Sequence, residues 1–516
     1  MQENVKKSYS IFDGAIALTI ATIVVKILGA IYKIPLSHFL GDEGMGYFNS
    51  AYTIYSFFYL LCTAGVPKAI MIVLNEHNDE KHQKNTLKVS IQFFSILGVI
   101  VSLLLIILSS TLSKLIGNPD ASISMIAIAP SIIFASISGV YRGYLSSKVK
   151  FLNVAISQII EGAIKLISGL IFAVTSSFYL LPLNAISAYT ILGATLGSAI
   201  SMIYLSICTK TNNYSEKSRQ KTPNNDYKVI KSIINLSLPI AISAMVMSIT
   251  NLADLSMIMN RLQASGYSKV ESTSLYGNYT TYATPIFNMI VSLIAPITIA
   301  FMPNLIKEKE SSKNLNNLLQ SELETTCFIF IPIILGICVY SEEILIILFN
   351  NNGVYIGSKL LVYLLISVIF LIPLTIINCG LEAIGKVKAP MLSITIGSVL
   401  KIVSGYFMIS NNLGILGAPV STMISYISSL GFSIIVGYKY NIVPDIVKSV
   451  STPLVNSFIS IFTLYPIYVT LSKTHSTLIS LIIASSISVT IYVFLSIIQG
   501  ELVKLIRLKR LKSTIY

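Results

Sequence analysis

The stretch Val89–Leu112, VSIQFFSILGVIVSLLLIILSSTL, holds no charged residue and is bounded by Lys88 and Lys114. A helix of about 20 apolar residues crosses the hydrocarbon core of a bilayer, so this stretch can span a membrane. Further stretches along the chain share its length and apolarity. We therefore predict an all-α integral membrane protein with about 14 transmembrane helices. The predicted spans are Gly14–Ser37, Gly46–Asn75, Leu87–Ile116, Ala121–Leu145, Phe151–Ser176, Leu183–Cys208, Val229–Met259, Tyr276–Leu305, Leu315–Tyr340, Ser358–Gly385, Ala389–Ser410, Gly414–Tyr438, Val450–Leu471 and Thr477–Ile498.

The composition excludes a soluble globular enzyme. The 516 residues are 54% hydrophobic and only 11% charged, with a mean hydropathy of +0.76. The predicted spans and their short connections leave no room for a sizeable soluble domain. The formal net charge of +14 would suggest nucleic acid in a soluble chain, but the positive-inside rule predicts such an excess in a membrane protein. We therefore expect membrane lipids, and no nucleic acid, as partners.

The basic residues indicate an orientation in the membrane. Most of the 36 lysines and arginines fall on the side of the predicted spans that holds the N-terminus. The exceptions on the other side are Lys114, Arg261, Lys269, Lys359 and Lys473. Cytoplasmic loops carry the excess of basic residues. The pattern therefore predicts a multi-pass protein of the plasma membrane with both termini in the cytoplasm.

An internal repeat predicts two related halves. Lys148-Val-Lys150 with Lys165-Leu-Ile-Ser-Gly169 recurs as Lys386-Val-Lys388 with Lys401-Ile-Val-Ser-Gly405. A repeat of six helices is a common construction in alternating-access transporters. We predict an N-terminal six-helix lobe at residues 1–208, a cytoplasmic linker at 209–228 and a C-terminal six-helix lobe at 229–440. Residues 441–516 add two transmembrane helices and a basic cytoplasmic tail.

Three lysines of the first two spans are candidate substrate ligands. A charge at mid-membrane is costly and usually faces a protein interior or an aqueous cavity. Lys26 and Lys33 are seven residues apart, which places them on one helix face, and Lys68 follows a break at Ala64-Gly-Val-Pro67. The alternative for each is that the side chain reaches the headgroup region at the membrane surface.

Two further groups of charges lie inside predicted spans. Glu161 and Lys165 are one turn apart, the spacing of an intrahelical ion pair, which is also the simplest structural role for them. Lys401 has no acid one turn away, and we interpret Asp254 as its candidate partner. Lysines thus outnumber the clear mid-span acids, which favours an anionic substrate, such as a pyrophosphate, over an organic cation.

Two enzyme motifs fail in context. Gly380-Leu-Glu-Ala-Ile-Gly-Lys386 has the spacing of a phosphate-binding loop, but Val387 replaces the required Ser or Thr. We therefore expect no cofactor, and an ion gradient or the membrane potential as the driving force. Asp42-Glu43 in the first outer loop leaves open a membrane glycosyltransferase, although a solvated turn explains the pair more simply.

Several motifs resemble one family of lipid flippases. They are Gly29-Ala-Ile-Tyr-Lys-Ile-Pro-Leu36, Leu40-Gly-Asp-Glu-Gly-Met-Gly-Tyr-Phe48, Thr63-Ala-Gly-Val-Pro-Lys-Ala-Ile70, Tyr141-Arg142-Gly-Tyr144 and Ser157-Gln-Ile-Ile-Glu-Gly-Ala-Ile-Lys165. They are similar to the sporulation stage V protein B group. That group belongs with the MurJ-type lipid II flippases in the multidrug/oligosaccharidyl-lipid/polysaccharide exporter superfamily.

The resemblance implies a V-shaped pair of lobes that carries a lipid-linked, pyrophosphate-bearing sugar from the inner to the outer leaflet. It implies a cavity lined by Lys26 and Lys33, with Lys68, Arg142, Glu161 and Lys165 as further substrate-site candidates. Relatives that use sodium have polar ligands on helices seven and eleven. Asn251 and Asp254 match the first, but Lys401 stands on the second, so sodium coupling is in doubt.

The partners expected from the resemblance are a lipid-linked oligosaccharide and membrane lipids, and we expect a monomer. A multidrug or cation exporter of the same superfamily remains an alternative function. The expected sugar belongs to lipid II or to a related cell-wall, spore-cortex or polysaccharide precursor.

Overall fold

The computed structural model describes residues 2–76, 80–210, 226–308, 311–349, 353–409, 413–462, 465–473 and 476–499. Across these ranges the regular secondary structure is helical, which confirms the predicted all-α fold class. The α-helices are α1 Gln2–Thr63, α2 Val66–Glu76, α3 Glu80–Leu115, α4 Ser122–Ile128, α5 Ser131–Ser147, α6 Phe151–Phe178, α7 Leu183–Lys210, α8 Asp226–Ala264, α9 Lys269–Asn278, α10 Thr284–Lys307, α11 Ser312–Val339, α12 Ser341–Phe349, α13 Val354–Ala383, α14 Lys388–Met408, α15 Gly417–Lys439, α16 Ile446–Phe462, α17 Tyr465–Leu471 and α18 Thr477–Ile498.

By length and hydropathy, ten helices of the described ranges can cross a membrane, or eleven when the bent pair Pro119–Ile128 and Ser131–Ser147 counts as one. One of the ten, Ala21–Asn75, contains the second predicted span and most of the first. The predicted spans Val229–Met259 and Tyr276–Leu305 also fall on helices, namely α8 and α9–α10. Within the described residues, each predicted span is thus mainly helical, and the protein is embedded in a membrane.

The first two spans are joined without a loop at Gly41. This residue lies inside α1 with φ 61° and ψ −174°, a combination that is essentially restricted to glycine. The kink separates the helix that carries Lys33 from the helix that carries Tyr52. The Gly41-Asp-Glu-Gly44 segment, predicted to be a solvated turn, is therefore the corner of a continuous helical segment.

The chain forms two compact units, Met1–Gly277 and Asn278–Tyr516. Most of the predicted linker at 209–228 lies outside the described residues, so the lobe boundaries remain predictions. In the first unit, an apolar core joins α2, α3 and α5 and includes Ile70, Phe94 and Tyr144. In the second unit, α13 is largely enclosed by protein, with 67% of its apolar 18-residue segment buried.

The first part of α1 and α6 run parallel. A Cβ atom built on Gly162 would lie 3.6 Å from Leu28, and one built on Gly169 would meet the hydroxyl end of Tyr32. Residue numbers therefore increase in the same direction along both helices. Spans one and five cross in the same sense, as consecutive crossings of the membrane require.

Glycines bring the backbones of α6 and α7 into contact. A Cβ atom on Gly197 would lie 2.6 Å from the carbonyl oxygen of Glu161, and one on Gly193 would lie 2.7 Å from Cα of Gly169. Small residues permit this approach in membranes, where helix association depends on close packing. The contact fixes the positions of Glu161 and Lys165 on α6.

We predict that Gly197→Ala destabilises the protein. In a helix interior, Gly→Ala alone should stabilise by about 1 kcal/mol, but overpacking a tight contact costs about 1–3 kcal/mol. Gly29→Ala is the matched control because nothing lies within 4 Å of a Cβ atom there. Thermal unfolding in detergent should show a lower Tm for Gly197→Ala than for Gly29→Ala. Equal or higher Tm for Gly197→Ala would contradict the role of this contact.

Candidate functional site

The structure brings Arg142 and Glu161 together in the first unit. Arg142 lies near the end of α5 and Glu161 lies on α6, with 2.7 Å between Nη2 and Oε2. Their side chains are 14% and 28% exposed, so the pair is largely enclosed by protein. Arg142 cannot lose its charge in a protein, and a carboxylate partner lowers the cost of placing that charge here.

Two serines complete the surroundings of Arg142. Its Nε donates to Ser157 Oγ at 3.1 Å, and its Nη2 also donates to Ser201 Oγ at 3.2 Å. Ser201 Oγ in turn donates to the carbonyl oxygen of Ser157 at 2.9 Å. Helices α5, α6 and α7 therefore hold the guanidinium in a fixed orientation.

Lys165 faces α1, away from the acid one turn before it. Its ammonium lies 3.2 Å from the hydroxyl of Tyr52 and 4.3 Å from the centre of the Tyr52 ring. The Tyr32 ring centre is 5.9 Å away. The predicted intrahelical pair of Glu161 with Lys165 is wrong, because Glu161 bonds to Arg142 across the helix interface. Among the described residues, no carboxylate is paired with Lys165.

Lys33 lies near Lys165 on the neighbouring helix. It follows Tyr32, the residue that packs against Gly169 of α6. Lys33 is half-buried, and the Lys165 ammonium lies 5.9 Å from the ring centre of the adjoining Tyr32. The structure therefore places Lys33, Lys165, Arg142 and Glu161 in one region of the first unit. Their formal charges leave this region with two net positive charges.

The other candidate lysines of the first two spans lie outside this cluster. Lys26 and Lys68 are both exposed. No hydrogen bond or ion pair joins either of them to another residue within the described ranges. Their predicted roles as substrate ligands stay predictions, as does the alternative that they extend to the headgroups.

The predicted coupling residues are divided between the two units. Asp254 and Asn251 lie on α8 of the first unit, where Asp254 is half-buried and Asn251 is exposed. Lys401 lies half-buried on α14 of the second unit. The pairing of Lys401 with Asp254 stays a prediction.

The second unit repeats the serine contacts without the charges. Ser393 stands eight residues before Lys401, as Ser157 does before Lys165. On α14 and α15, Ser433 Oγ lies 2.8 Å from both Ser393 Oγ and Asn378 Oδ1. Beyond Ser393, the side chain that Ser433 contacts is thus a neutral amide, whereas Ser157 and Ser201 of the first unit contact a guanidinium.

The second half has no acid at the position equivalent to Glu161, and a side chain would not fit there. Gly397 stands four residues before Lys401, the place that Glu161 has before Lys165. A Cβ atom at Gly397 would collide with Ser429 and lie 2.7 Å from the carbonyl oxygen of Ser425. The Arg142–Glu161 pair is therefore specific to the first unit.

Two features of the structure were missed in the sequence. Glu322 lies on α11 with its side chain fully buried, although an acid inside the predicted span Leu315–Tyr340 was a visible signal. Tyr52, the contact of Lys165, belongs to a helical periodicity of aromatic residues that was also visible. Among the described residues, no group of three or more His, Cys, Asp or Glu side chains could hold a metal ion.

Residues 11–308 match the polysaccharide biosynthesis protein family. The chain is 22% identical over 419 residues to stage V sporulation protein B of Bacillus subtilis (strain 168), covering 79% of this chain and 80% of that protein. It is also 22% identical over 465 residues to the lipid II flippase MurJ of the same organism, with 84% and 85% covered.

Solved structures show the same fold. An inward closed conformation of the lipid II flippase MurJ superposes with a TM-score of 0.73 and 20% identity, covering 95% of this chain and 100% of that one. An inward-facing multidrug resistance transporter of the MATE family gives a TM-score of 0.59 at 13% identity, over 83% of this chain and 98% of that one. The fold is therefore that of a two-lobe membrane transporter. With the family match covering more than half of its length, the chain belongs to the polysaccharide biosynthesis protein family.

Proposed function

We propose that this protein is a flippase that moves a polyprenyl-pyrophosphate-linked saccharide from the inner to the outer leaflet by alternating access. The observation that carries the proposal is the net positive cluster of Lys33 and Lys165 beside the neutralised Arg142–Glu161 pair. Family membership and the likeness to a lipid II flippase support it. The substrate is lipid II or a related precursor of the wall, the spore cortex or another polysaccharide.

The two lysines suit a pyrophosphate. A lysine ammonium binds phosphate as a compact point charge with three donors. Lys33 and Lys165 lie on the parallel helices α1 and α6, and Tyr32, the neighbour of Lys33, packs against α6 near Lys165. We propose that both ammonium groups bind one anion. Because Glu161 is bonded to Arg142, it does not cancel the charge of Lys165. Lys26 is exposed and lies two turns before Lys33 on the same helix. We propose that the pyrophosphate contacts Lys26 first, as the lipid-linked saccharide enters the site.

The proposal extends to the protein's setting in the cell. The distribution of basic residues supports a plasma-membrane protein with both termini in the cytoplasm. We propose that it acts as a monomer on substrate drawn from the surrounding lipid. The relatives are transporters, and the membrane glycosyltransferase considered from Asp42-Glu43 has no comparable support.

The second candidate function is export of organic cations, as the fold of MATE transporters allows. The cluster on α1 and α6 disfavours it, because like charges repel a cationic ligand. Proteoliposomes loaded with fluorescent lipid II, with a lipid-linked capsule repeat unit or with ethidium would separate the two functions. Ethidium transport without movement of either lipid would overturn the flippase proposal.

We predict that Lys33→Ala and Lys165→Ala each reduce lipid II translocation by about tenfold or more. A charge-assisted hydrogen bond contributes about 1.5–3 kcal/mol, and 1.4 kcal/mol is tenfold. Arginine at either position should restore part of the rate because it keeps the charge. The assay is dithionite quenching of labelled lipid II in proteoliposomes.

Lys359→Ala is the matched control for these variants. Lys359 is an exposed lysine whose ammonium lies 4.2 Å from the Tyr355 ring centre, a contact of the same kind as that of Lys165 with Tyr52. Its loss should leave translocation unchanged. Full activity of the Lys33→Ala/Lys165→Ala double variant would show that these lysines do not hold the pyrophosphate.

We predict that the Arg142–Glu161 pair is coupled in stability. Glu161→Gln leaves the guanidinium with serines alone, and Arg142→Gln leaves the carboxylate without its cation. Each single variant should therefore lower the Tm more than the Arg142→Gln/Glu161→Gln double variant does. A double-mutant cycle on thermal unfolding in detergent should give a coupling energy of about 0.5–3 kcal/mol. Additive effects would mean that the two residues act independently.

For the driving force, we propose that Lys401 takes the place of a bound sodium ion on the span that carries it. Asp254 and Asn251 would then not form a sodium site, and the membrane potential or another ion gradient would drive transport. We predict the same translocation rate in sodium and in potassium buffers of equal ionic strength. Loss of activity in potassium would instead assign Asp254 and Asn251 to sodium.

A further inference from the structure

Four aromatic rings form a continuous row along the second part of α1. Phe48, Tyr52, Tyr55 and Tyr59 are spaced four, three and four residues apart, which places them on one face of the helix. Successive ring centres are 6.2, 5.6 and 5.5 Å apart. The row is therefore a pre-formed aromatic surface on one helix.

Exposure differs along this row. Phe48 and Tyr55 are buried, with 3% and 7% of their surface exposed, and they fix the row against the rest of the first unit. Tyr52 is 36% exposed. Tyr59 is partly exposed. Tyr52 is thus the most exposed ring of the row, and it lies between the two buried rings.

The Lys165 ammonium covers the face of the Tyr52 ring. Its ammonium is 4.3 Å from the ring centre and 3.2 Å from the hydroxyl oxygen. An exposed cation–π contact is weaker than a charge-assisted hydrogen bond to phosphate. A pyrophosphate that arrives at Lys165 should therefore draw the ammonium away from the ring and leave the aromatic face open.

The group that follows the phosphate in the substrate is a sugar. In a polyprenyl-pyrophosphate-linked saccharide, the first pyranose is bonded directly to the pyrophosphate. The face of an aromatic ring carries partial negative charge, and the C–H bonds of a pyranose carry partial positive charge. A pyranose can therefore stack on the face that the ammonium has left.

We propose that Tyr52 is the stacking surface for the first pyranose of the lipid-linked saccharide, exposed when the pyrophosphate takes Lys165 from the ring. This inference rests on the proposed flippase function. It assigns sugar recognition to the second part of α1, beside the anion-binding lysines Lys33 and Lys165, so one substrate contacts both α1 and α6. The buried neighbours Phe48 and Tyr55 act as positioning residues for the Tyr52 ring.

The test compares two lipids and three variants. The probes are a polyprenyl pyrophosphate that carries one N-acetylhexosamine and the same polyprenyl pyrophosphate without the sugar. The variants are Tyr52→Leu, which removes the ring, Tyr52→Phe, which keeps it, and Tyr179→Leu as the matched control. Tyr179 is an exposed tyrosine fourteen residues after Lys165, about 21 Å along the helix direction. Binding is measured by thermophoresis on purified protein in nanodiscs.

We expect Tyr52→Leu to weaken binding of the sugar-bearing lipid by about threefold to tenfold, the usual range for one aromatic contact. Binding of the sugar-free lipid should not weaken. Tyr52→Phe should retain the preference for the sugar-bearing lipid, and Tyr179→Leu should behave as the unmodified protein. If Tyr52→Leu does not fold, Tyr52→Met provides the same comparison.

Other outcomes would overturn the inference in distinguishable ways. Equal losses for both lipids would mean that Tyr52 contacts the polyprenyl chain or merely supports Lys165. No loss for either lipid would remove Tyr52 from the site. If the unmodified protein binds neither lipid, the proposed flippase function itself fails.

Discussion

The close approach of α6 and α7 is the constraint on which the polar site depends. Gly193 and Gly197 let the α7 backbone lie against α6 at Glu161 and Gly169. Because a side chain at either position would push the helices apart, the distance between Ser157 and Ser201 depends on these glycines. Both serines accept hydrogen bonds from Arg142. A packing contact without any charge thus determines where the charged groups can meet.

The same packing determines which of the two cations, Arg142 on α5 or Lys165 on α6, is paired with Glu161. Arg142 takes Glu161 as its partner, so Lys165 turns to the aromatic rings of α1. A tyrosine ring and its hydroxyl stabilise an ammonium without removing its charge. Lys165 is therefore held in position and still able to bind an anion. An intrahelical pair with Glu161 would have neutralised it.

The internal repeat shows which parts of this arrangement serve packing and which are specific to one half. Ser157 and Ser393 occupy equivalent positions, and both halves use serine contacts to join neighbouring helices. In the second half, Asn378 accepts a hydrogen bond from Ser433. Gly397 stands at the position of Glu161, and no side chain fits there. Since two related halves form the same helix contacts with and without an ion pair, the pair is not required for that packing.

The sequence by itself determined the all-helical membrane fold, the positions of the spans and the excess of intramembrane lysines. These properties can be read from the sequence because the free energy of inserting a segment into lipid is nearly the sum of the contributions of its side chains. The tertiary structure decided which charged side chains pair with one another. Glu161 can reach Lys165 on its own helix or Arg142 on the next, and helical spacing alone cannot choose between them. The choice depends on which face of α6 meets α5 and which meets α1, and that depends on glycine contacts between residues far apart in the chain. For the same reason, only the fold shows that Lys165 lies against Tyr32 and Tyr52 of α1.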